Sequence, residues 1–356
     1  MIRDAQQLTA FLPQLRTAEW VTLDTEADSL HAYPEKLCLL QLSLPGRDVL
    51  IDPLAAFDLR PLLDELRHRE LILHGGDYDL RLLRRDLGFV PETVFDTMIA
   101  ARFLGHAEFG LTNLVAQYLA VTLEKGAQTA NWALRPLPPR LATYARNDTH
   151  YLQPLAEQLR NGLRQKGRLA WHRQACARLI AECAQPRLHD PNLIWRVGGC
   201  ERLSRPALAI LRGLWHWREH EAREHHKPPY FVLSHEAMLA LASAAADGRS
   251  PEVCLPAHLT SRRREGITQA IVQGLAVPPK DQPHHLRPTG RRFTEEENRR
   301  FNQLKQQRDQ RASELGIDPT FIASRATLAT LAQTGQWDGL MDWQRELLLP
   351  GLNSPA

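Results

Sequence analysis

The sequence predicts an α/β domain, a mixed sheet flanked by helices, followed by an all-α half. Three observations lead there. Apolar strand-like runs alternate with amphipathic helix-like segments through the first half of the 356 residues. Strand signals then almost vanish beyond about residue 165. The helical half also carries an ungapped repeat at an offset of 90 residues: Leu214, Arg218, Ala222, Glu224, Pro229, Phe231, Ser234 and Leu241 match Leu304, Arg308, Ala312, Glu314, Pro319, Phe321, Ser324 and Leu331.

Residues 19–24, 36–44 and 49–52 read as three strands with short connections, which favour antiparallel pairing. Residues 59–67 read as a helix, 71–74 as a strand, and 80–87 as a helix ended by Gly88. A short strand over 94–96 follows, then helices over 111–119 and 139–162. Three strands and then alternating helix and strand imply a mixed sheet with helices packed on it. Gln185-Pro186 and Asp190-Pro191-Asn192 mark a break. Each copy of the repeat reads as a helix, a Pro-aromatic turn, a Ser N-cap and a second helix. A period this long suggests two small helical domains rather than a solenoid. The expected division is a first domain over 1–170, a linker helix over 171–194, and helical domains over 195–280 and 291–356.

Four acidic residues sit where a carboxylate is awkward. Asp24 and Glu26 end the apolar run Val21-Thr22-Leu23; two apart on a strand, they share a face. Asp79 follows the buried-strand pattern Leu71-Ile72-Leu73 and the turn His74-Gly75-Gly76-Asp77-Tyr78. Tyr144 and Asp148 are four apart in a helix-like segment and share its face. Carboxylates converging near a core repel one another unless cations hold them, and hard oxygen ligands select Mg2+ or Mn2+. Two such ions about 3.5–4 Å apart suit phosphodiester hydrolysis, in which both the attacking and the leaving oxygen need stabilising. The Tyr144 hydroxyl, one turn before Asp148, is placed to orient the attacking water; with an ordinary pKa near 10 it is a positioner more than a base.

The net charge of +3 is unevenly spread. Residues 1–160 hold 16 Lys+Arg and 21 Asp+Glu, a net of −5, leaving 28 and 20, a net of +8, for residues 161–356. An acidic half that binds cations, joined to a basic half that binds polyanions, suits a nucleic-acid enzyme. No run of 18 or more apolar residues is present, so no membrane span is expected. The five cysteines are odd in number and form no CxxC pair, which argues against a disulfide scaffold or a thiolate zinc site and fits a reducing cytoplasm.

The three acidic motifs resemble those of bacterial ribonuclease D, in the DEDDy group of 3′–5′ exonucleases. Asp24 and Glu26 match the Asp-x-Glu of the first motif. His74 and Asp79 match the second, and Tyr144 with Asp148 the Tyr-x-x-x-Asp of the third. Phe95-Asp96-Thr97 and the stretch from Val121-Thr122-Leu123-Glu124-Lys125 to Trp132-Ala133-Leu134-Arg135-Pro136-Leu137 also look like the family. The resemblance covers about residues 1–165 and implies a ribonuclease-H-like fold. The repeat is similar to tandem HRDC domains, the copy near 291–356 being more degenerate. The resemblance further implies a cytoplasmic 3′–5′ exoribonuclease using two Mg2+ or Mn2+ ions. These would be held by Asp24, Glu26, Asp79 and Asp148. The implied substrate is RNA with a free 3′ end, tRNA precursors among them, and a monomer is the expected state. A Werner-like DNA exonuclease and a catalytically inactive RNA-binding protein are the alternatives.

Leu30, His31, Tyr33 and His74 are candidate substrate contacts, since a terminal nucleotide at the metals should meet residues just after the first motif. Asp77 is a rival to Asp79, because a Gly-Gly-Asp turn often uses Asp as a backbone cap; the family pattern favours Asp79. Asp96 reads as a helix cap, and Arg262-Arg263-Arg264 as either a solvated face or a phosphate contact.

Overall fold

A computed structural model describes residues 1–124, 126–187, 190–256, 259–286 and 293–349. Lys125, part of the family-like stretch, and residues 291–292 and 350–356 of the second helical segment lie outside the described residues. The chain divides into two compact units: residues 1–27, 37–186 and 292–356 form one, and residues 28–36 with 187–291 the other.

The first unit is built on five strands, β1 (Val21–Ala27), β2 (Leu37–Leu44), β3 (Arg47–Ile51), β4 (Glu70–Leu73) and β5 (Thr93–Asp96), in the order β3-β2-β1-β4-β5. The three sequential strands pair antiparallel, as their short connections require, while β4 and β5 continue the sheet in parallel with β1. Every residue of β2 is buried, because helices cover both faces. One face packs on α1 (Ala5–Thr17), α2 (Arg60–Arg67) and α3 (Asp77–Leu87). Leu8, Phe11, Leu12 and Leu15 of α1 supply the apolar stripe, and Asp4 caps its start by accepting from the Gln7 N–H. The sequence reading overlooked this helix. The other face receives α4 (Thr97–Leu104), α5 (Leu111–Leu119), α6 (Pro139–His150) and α7 (Leu152–Gln165), and α8 (Leu169–Ala184) packs beside α3 and β5. The single helix expected over 139–162 is therefore two. Pro154, in the first turn of α7, cannot donate to the preceding turn, and the chain breaks at Tyr151.

The first repeat copy comprises α9 (Arg205–Glu224), α10 (Pro229–Val232) and α11 (His235–Ala246), packed with α12 (Ser261–Leu275) around Trp195, Leu211, Leu214 and Met238 in the second unit. The second copy comprises α13 (Glu295–Leu315), α14 (Pro319–Ile322) and α15 (Arg325–Thr334), followed by α16 (Asp342–Leu348). The duplication is visible in hydrogen bonds. Ser234 accepts from the Ala237 N–H and Ser324 from the Thr327 N–H. Arg218 donates to the Leu233 carbonyl and Arg308 to the Ala323 carbonyl, and each arginine pairs with the acid that follows it, Glu219 or Asp309.

The second copy shares a core with the sheet-bearing unit. Phe321 packs on Phe103 at 4.5 Å between ring centroids, and Trp343 stacks on Trp171 at 5.3 Å. Buried Arg168 donates to the carbonyls of both Phe103 and Leu315.

Candidate active site

Thr22, Asp24 and Glu26 share one face of β1. The Thr22 hydroxyl, fully buried, donates to the Thr149 carbonyl of α6 at 3.0 Å. Ser43, opposite Thr22 on β2, donates to the Thr149 hydroxyl at 2.8 Å. This buried polar clamp fixes α6 over β1 and brings Asp148, next to Thr149, to Asp24 and Glu26. Carboxylate oxygens of Asp24, Glu26 and Asp148 lie within 4.8 Å of one another.

Asp79 enters from the first turn of α3, where the helix N-terminus favours negative charge. The Thr25 N–H and hydroxyl both donate to its Oδ1, at 3.0 and 2.5 Å. The turn that places α3 needs its glycines. Gly75 has φ +66°, and a Cβ on Gly76 would lie 2.8 Å from Leu73 Cδ1. Both glycine N–H groups donate to the Asp96 carboxylate, which also accepts from the Met98 and Ile99 N–H groups. Asp96 is thus a cap that ties two helix starts together. Asp77 forms an ion pair with Arg81 at 2.9 Å, and Asp79 is the carboxylate that lines the cavity.

That cavity measures about 480 Å³ and is lined by all four carboxylates, Tyr144, His74, Tyr78, the start of α5 from Gly110 to Asn113, and Leu123, Glu124 and Gln128. Sequence reasoning missed the α5 start and Gln128, which carry no charge pattern to mark them. A larger hollow of about 700 Å³ lies at the opposite ends of β1 and β4. Its charges balance, with Arg160 paired to Glu70, and it holds none of the motif residues.

Burial first, and mutual repulsion second, drives the site's carboxylates upward. Asp24 rises well above the usual range, Glu26 to about 9 and Asp148 to about 7. Asp79 rises to about 6 through burial, against the Thr25 hydrogen bonds that lower it. Such a cluster resists carrying its full negative charge alone, and its all-oxygen donor set fits Mg2+ or Mn2+. Directly across from Asp24 in register, the fully buried Gln41 amide has no hydrogen-bond partner among the described residues.

Tyr144 is half-buried, its ring 6.2 Å from that of Trp132. Burial and the charges of Asp148, Glu26 and Asp24 all raise its pKa, so the hydroxyl keeps its proton at neutral pH. His74 Nδ1 lies 2.9 Å from the Thr97 hydroxyl, which gives its own proton to the Leu73 carbonyl. Nδ1 therefore carries the ring proton, and burial keeps the ring neutral, leaving Nε2 as an acceptor.

Leu30, His31 and Tyr33 fall in the segment 28–36 of the second unit. Leu30 and His31 are exposed, whereas the Tyr33 hydroxyl is bonded to Glu219. The three consecutive arginines are largely engaged within that unit: Arg262 pairs with Glu224, Arg263 with Glu221, and Arg264 donates to the Leu259 and Pro256 carbonyls. No helix among the described residues is long and apolar enough to cross a membrane.

Residues 1–164 match a family model described as 3′-5′ exonuclease, and residues 207–247 match the HRDC domain. A ribonuclease D from Jannaschia sp. (strain CCS1) is 31% identical over 294 residues, covering 79% of this chain and 76% of the relative. A ribonuclease D from Zymomonas mobilis is 36% identical over 247 residues, covering 68% of this chain and 63% of the relative. The structure of Escherichia coli RNase D, described as an exoribonuclease involved in structured RNA processing, superposes with a TM-score of 0.73 at 24% identity, covering 98% of this chain and 95% of that one. A protein from Bifidobacterium adolescentis superposes with a TM-score of 0.84, also at 24% identity, covering 98% and 94%. At these identities the two superpositions establish the fold.

Proposed function

The chain belongs to the ribonuclease D family of 3′–5′ exoribonucleases, and on that premise we propose that Asp24, Glu26, Asp79 and Asp148 hold two divalent cations, Mg2+ or Mn2+, at which nucleoside 5′-monophosphates are released from RNA 3′ ends. The observation that carries this reading is the convergence of four carboxylates from β1, α3 and α6 on one cavity beside Tyr144.

When bound, the cations activate the attacking water and offset charge on the leaving 3′ oxygen. The remaining work falls to side chains. Thr22, Ser43 and Thr149 clamp α6, and Thr25 clamps Asp79, so the four ligands are held before substrate arrives. Tyr144, kept protonated, orients the attacking water by hydrogen bonding rather than removing its proton. His74 offers Nε2 to a hydroxyl of the terminal ribose. Leu30 and His31 are the exposed candidates for packing on the terminal base.

We further propose that the two repeat copies are both HRDC-like modules. Their shared arginine–carbonyl and serine-cap hydrogen bonds support this, and the first copy matches the HRDC family model. A tRNA precursor is the proposed physiological substrate.

The test uses 5′-labelled single-stranded RNA ending in a 3′-hydroxyl or a 3′-phosphate, in Mg2+ or in excess chelator, with single-stranded DNA in parallel. Progressive shortening of the hydroxyl-ended RNA with 5′-monophosphate product is expected only with the metal. Full activity in chelator would remove the cation assignment, and dominant internal fragments or preferred cutting of DNA would overturn the exoribonuclease reading.

A further inference from the structure

The stretch Trp132-Ala133-Leu134-Arg135-Pro136-Leu137 looks like the family in sequence, yet none of its residues lines the carboxylate cavity. It lies between α5 and α6, where the described residues form no helix or strand, and in the same compact unit as the carboxylates. Without a helix or a sheet ladder, such a segment needs other partners for its main chain. Arg135 supplies them. Its Nε donates to Asp52 Oδ2 and its Nη2 to Asp52 Oδ1, both at 2.6 Å. This is a two-pronged pair with a carboxylate just beyond β3 that is 3% exposed. Nη2 also donates to the Cys38 carbonyl of β2 at 2.7 Å. Nη1 turns back on the loop and donates to the Trp132 and Leu134 carbonyls at 2.9 and 2.8 Å. An arginine in an RNA-cleaving enzyme would ordinarily be assigned to phosphate. A guanidinium has five N–H donors, and these five bonds use all of them, so the work of Arg135 is internal.

What the arginine holds is Trp132. That side chain is 1% exposed and packs in one apolar cluster with Leu39 of β2, Leu50 of β3, Leu137 and Ala145. Tyr144 packs against the same cluster, its ring tilted 45° to that of Trp132. The Tyr144 ring is therefore placed by a side chain whose own main chain is fixed by Arg135. A hydroxyl that aligns a water does so only while its ring stays in place. A misplacement of about 1 Å in such a group costs on the order of a hundredfold in rate.

We propose that Arg135 is a positioning residue for the exonuclease: by pinning the loop to β2 and to the end of β3 it sets Trp132 against Tyr144, and so fixes the hydroxyl that aligns the attacking water. This rests on the water-orienting reading of Tyr144.

The experiment compares full-length wild type, Arg135→Lys, Trp132→Phe, Tyr144→Phe and the Arg135→Lys/Tyr144→Phe double variant, with melting curves as a folding control. Arg135→Lys keeps a cation beside buried Asp52 but cannot form the two-pronged pair. Trp132→Phe leaves the arginine in place and tests the next link, which keeps the proposal open to refutation should the lysine variant not fold. Three quantities are measured: kcat and KM on single-stranded RNA in Mg2+, calorimetric Mn2+ affinity, and fluorine spectra of protein labelled with 3-fluorotyrosine. The chain has six tyrosines, and the signal lost in Tyr144→Phe identifies Tyr144. Arg135→Lys should lower kcat about tenfold, with KM and Mn2+ affinity within about a factor of two, because alignment alone is lost. It should also move the Tyr144 fluorine signal. Trp132→Phe should give the same pattern at about threefold in kcat. The double variant should match Tyr144→Phe alone, since without the hydroxyl nothing is left to place. A raised KM at unchanged kcat would overturn the proposal in favour of an RNA contact. A further loss of kcat on top of Tyr144→Phe, or an unmoved Tyr144 signal, would overturn it in favour of a role in stability alone. Wild-type kcat in Tyr144→Phe would fail the water-orienting reading instead, and the fluorine signal by itself would then decide whether Arg135 places the ring.

Discussion

Replacing Glu26 by Gln should stabilise the cation-free protein while destroying its function. The folded state lifts the Glu26 carboxyl from 4.5 to about 9, through burial and the repulsion of Asp148 and Asp79. Each unit corresponds to about 1.4 kcal/mol, so the full displacement is worth roughly 6 kcal/mol, and sharing of the repulsion with the neighbouring carboxylates leaves about 3 kcal/mol to be relieved by one substitution. The sign follows from which state binds the proton more tightly. Below pH 4.5 the carboxyl is protonated folded and unfolded, and the burden is absent. As pH rises towards 9 the unfolded chain ionises freely while the folded chain must keep a proton or bear a buried charge, and stability falls. In excess chelator at pH 8, Glu26→Gln should therefore melt about 6–12 °C above wild type. The gap should shrink towards pH 5. Saturating Mg2+ should raise the wild-type transition more than that of the variant, since ligands that bind only the native state stabilise it by mass action. Melting by circular dichroism across a pH series in chelator is the assay. A variant that melts at or below wild type at pH 8, or a gap that ignores pH, would refute the account of the site as a cluster of frustrated carboxylates.

Tyr144→Phe should lower kcat about 100-fold, because the attacking water loses the hydrogen bond that aligns it, while leaving the calorimetric affinity for Mn2+ near wild type. A parallel loss of cation affinity would make the hydroxyl a ligand instead. Thr149→Val removes the hydroxyl that receives Ser43 and should cost about 1–2 kcal/mol with a disproportionate fall in kcat, since Asp148 depends on that clamp; urea unfolding and single-turnover cleavage would show whether the two effects separate. Trp343→Ala should destabilise the sheet-bearing unit by about 3–5 kcal/mol, because it empties the space between Phe103 and Trp171. An unchanged melting profile would mean that the second repeat copy does not belong to that core.

Much of the site was legible because its residues are anomalous where they stand. Asp24 and Glu26 close an apolar run, and burial without a cation penalises them most. Ser43 interrupts the largely apolar β2 for a reason that became visible only when it met Thr149. The helix break at Tyr151 and the helix α1 were both missed, although Pro154 and the apolar spacing of Leu8, Phe11, Leu12 and Leu15 carry a local signal for each. What the sequence withholds is long-range. Phe231 and Phe321 occupy the same place in the repeat and look alike, yet Phe231 is 55% exposed while Phe321 packs on Phe103. The bond from Tyr33 to Glu219 links residues 186 positions apart, and no local pattern encodes it.

The discontinuity of the sheet-bearing unit has a consequence for the order in which the chain is made. Its first core, around β1, β2 and α1, is complete once α8 has been synthesised. Its second core requires Phe321 and Trp343, which follow the entire inserted unit. At about 5–20 residues per second, translation from residue 186 to 343 lasts about 8–30 s. Throughout that interval the nascent chain holds four clustered carboxylates on a scaffold whose Phe103 and Trp171 still lack their final neighbours. Residues made after the inserted unit therefore complete a core that was begun before it.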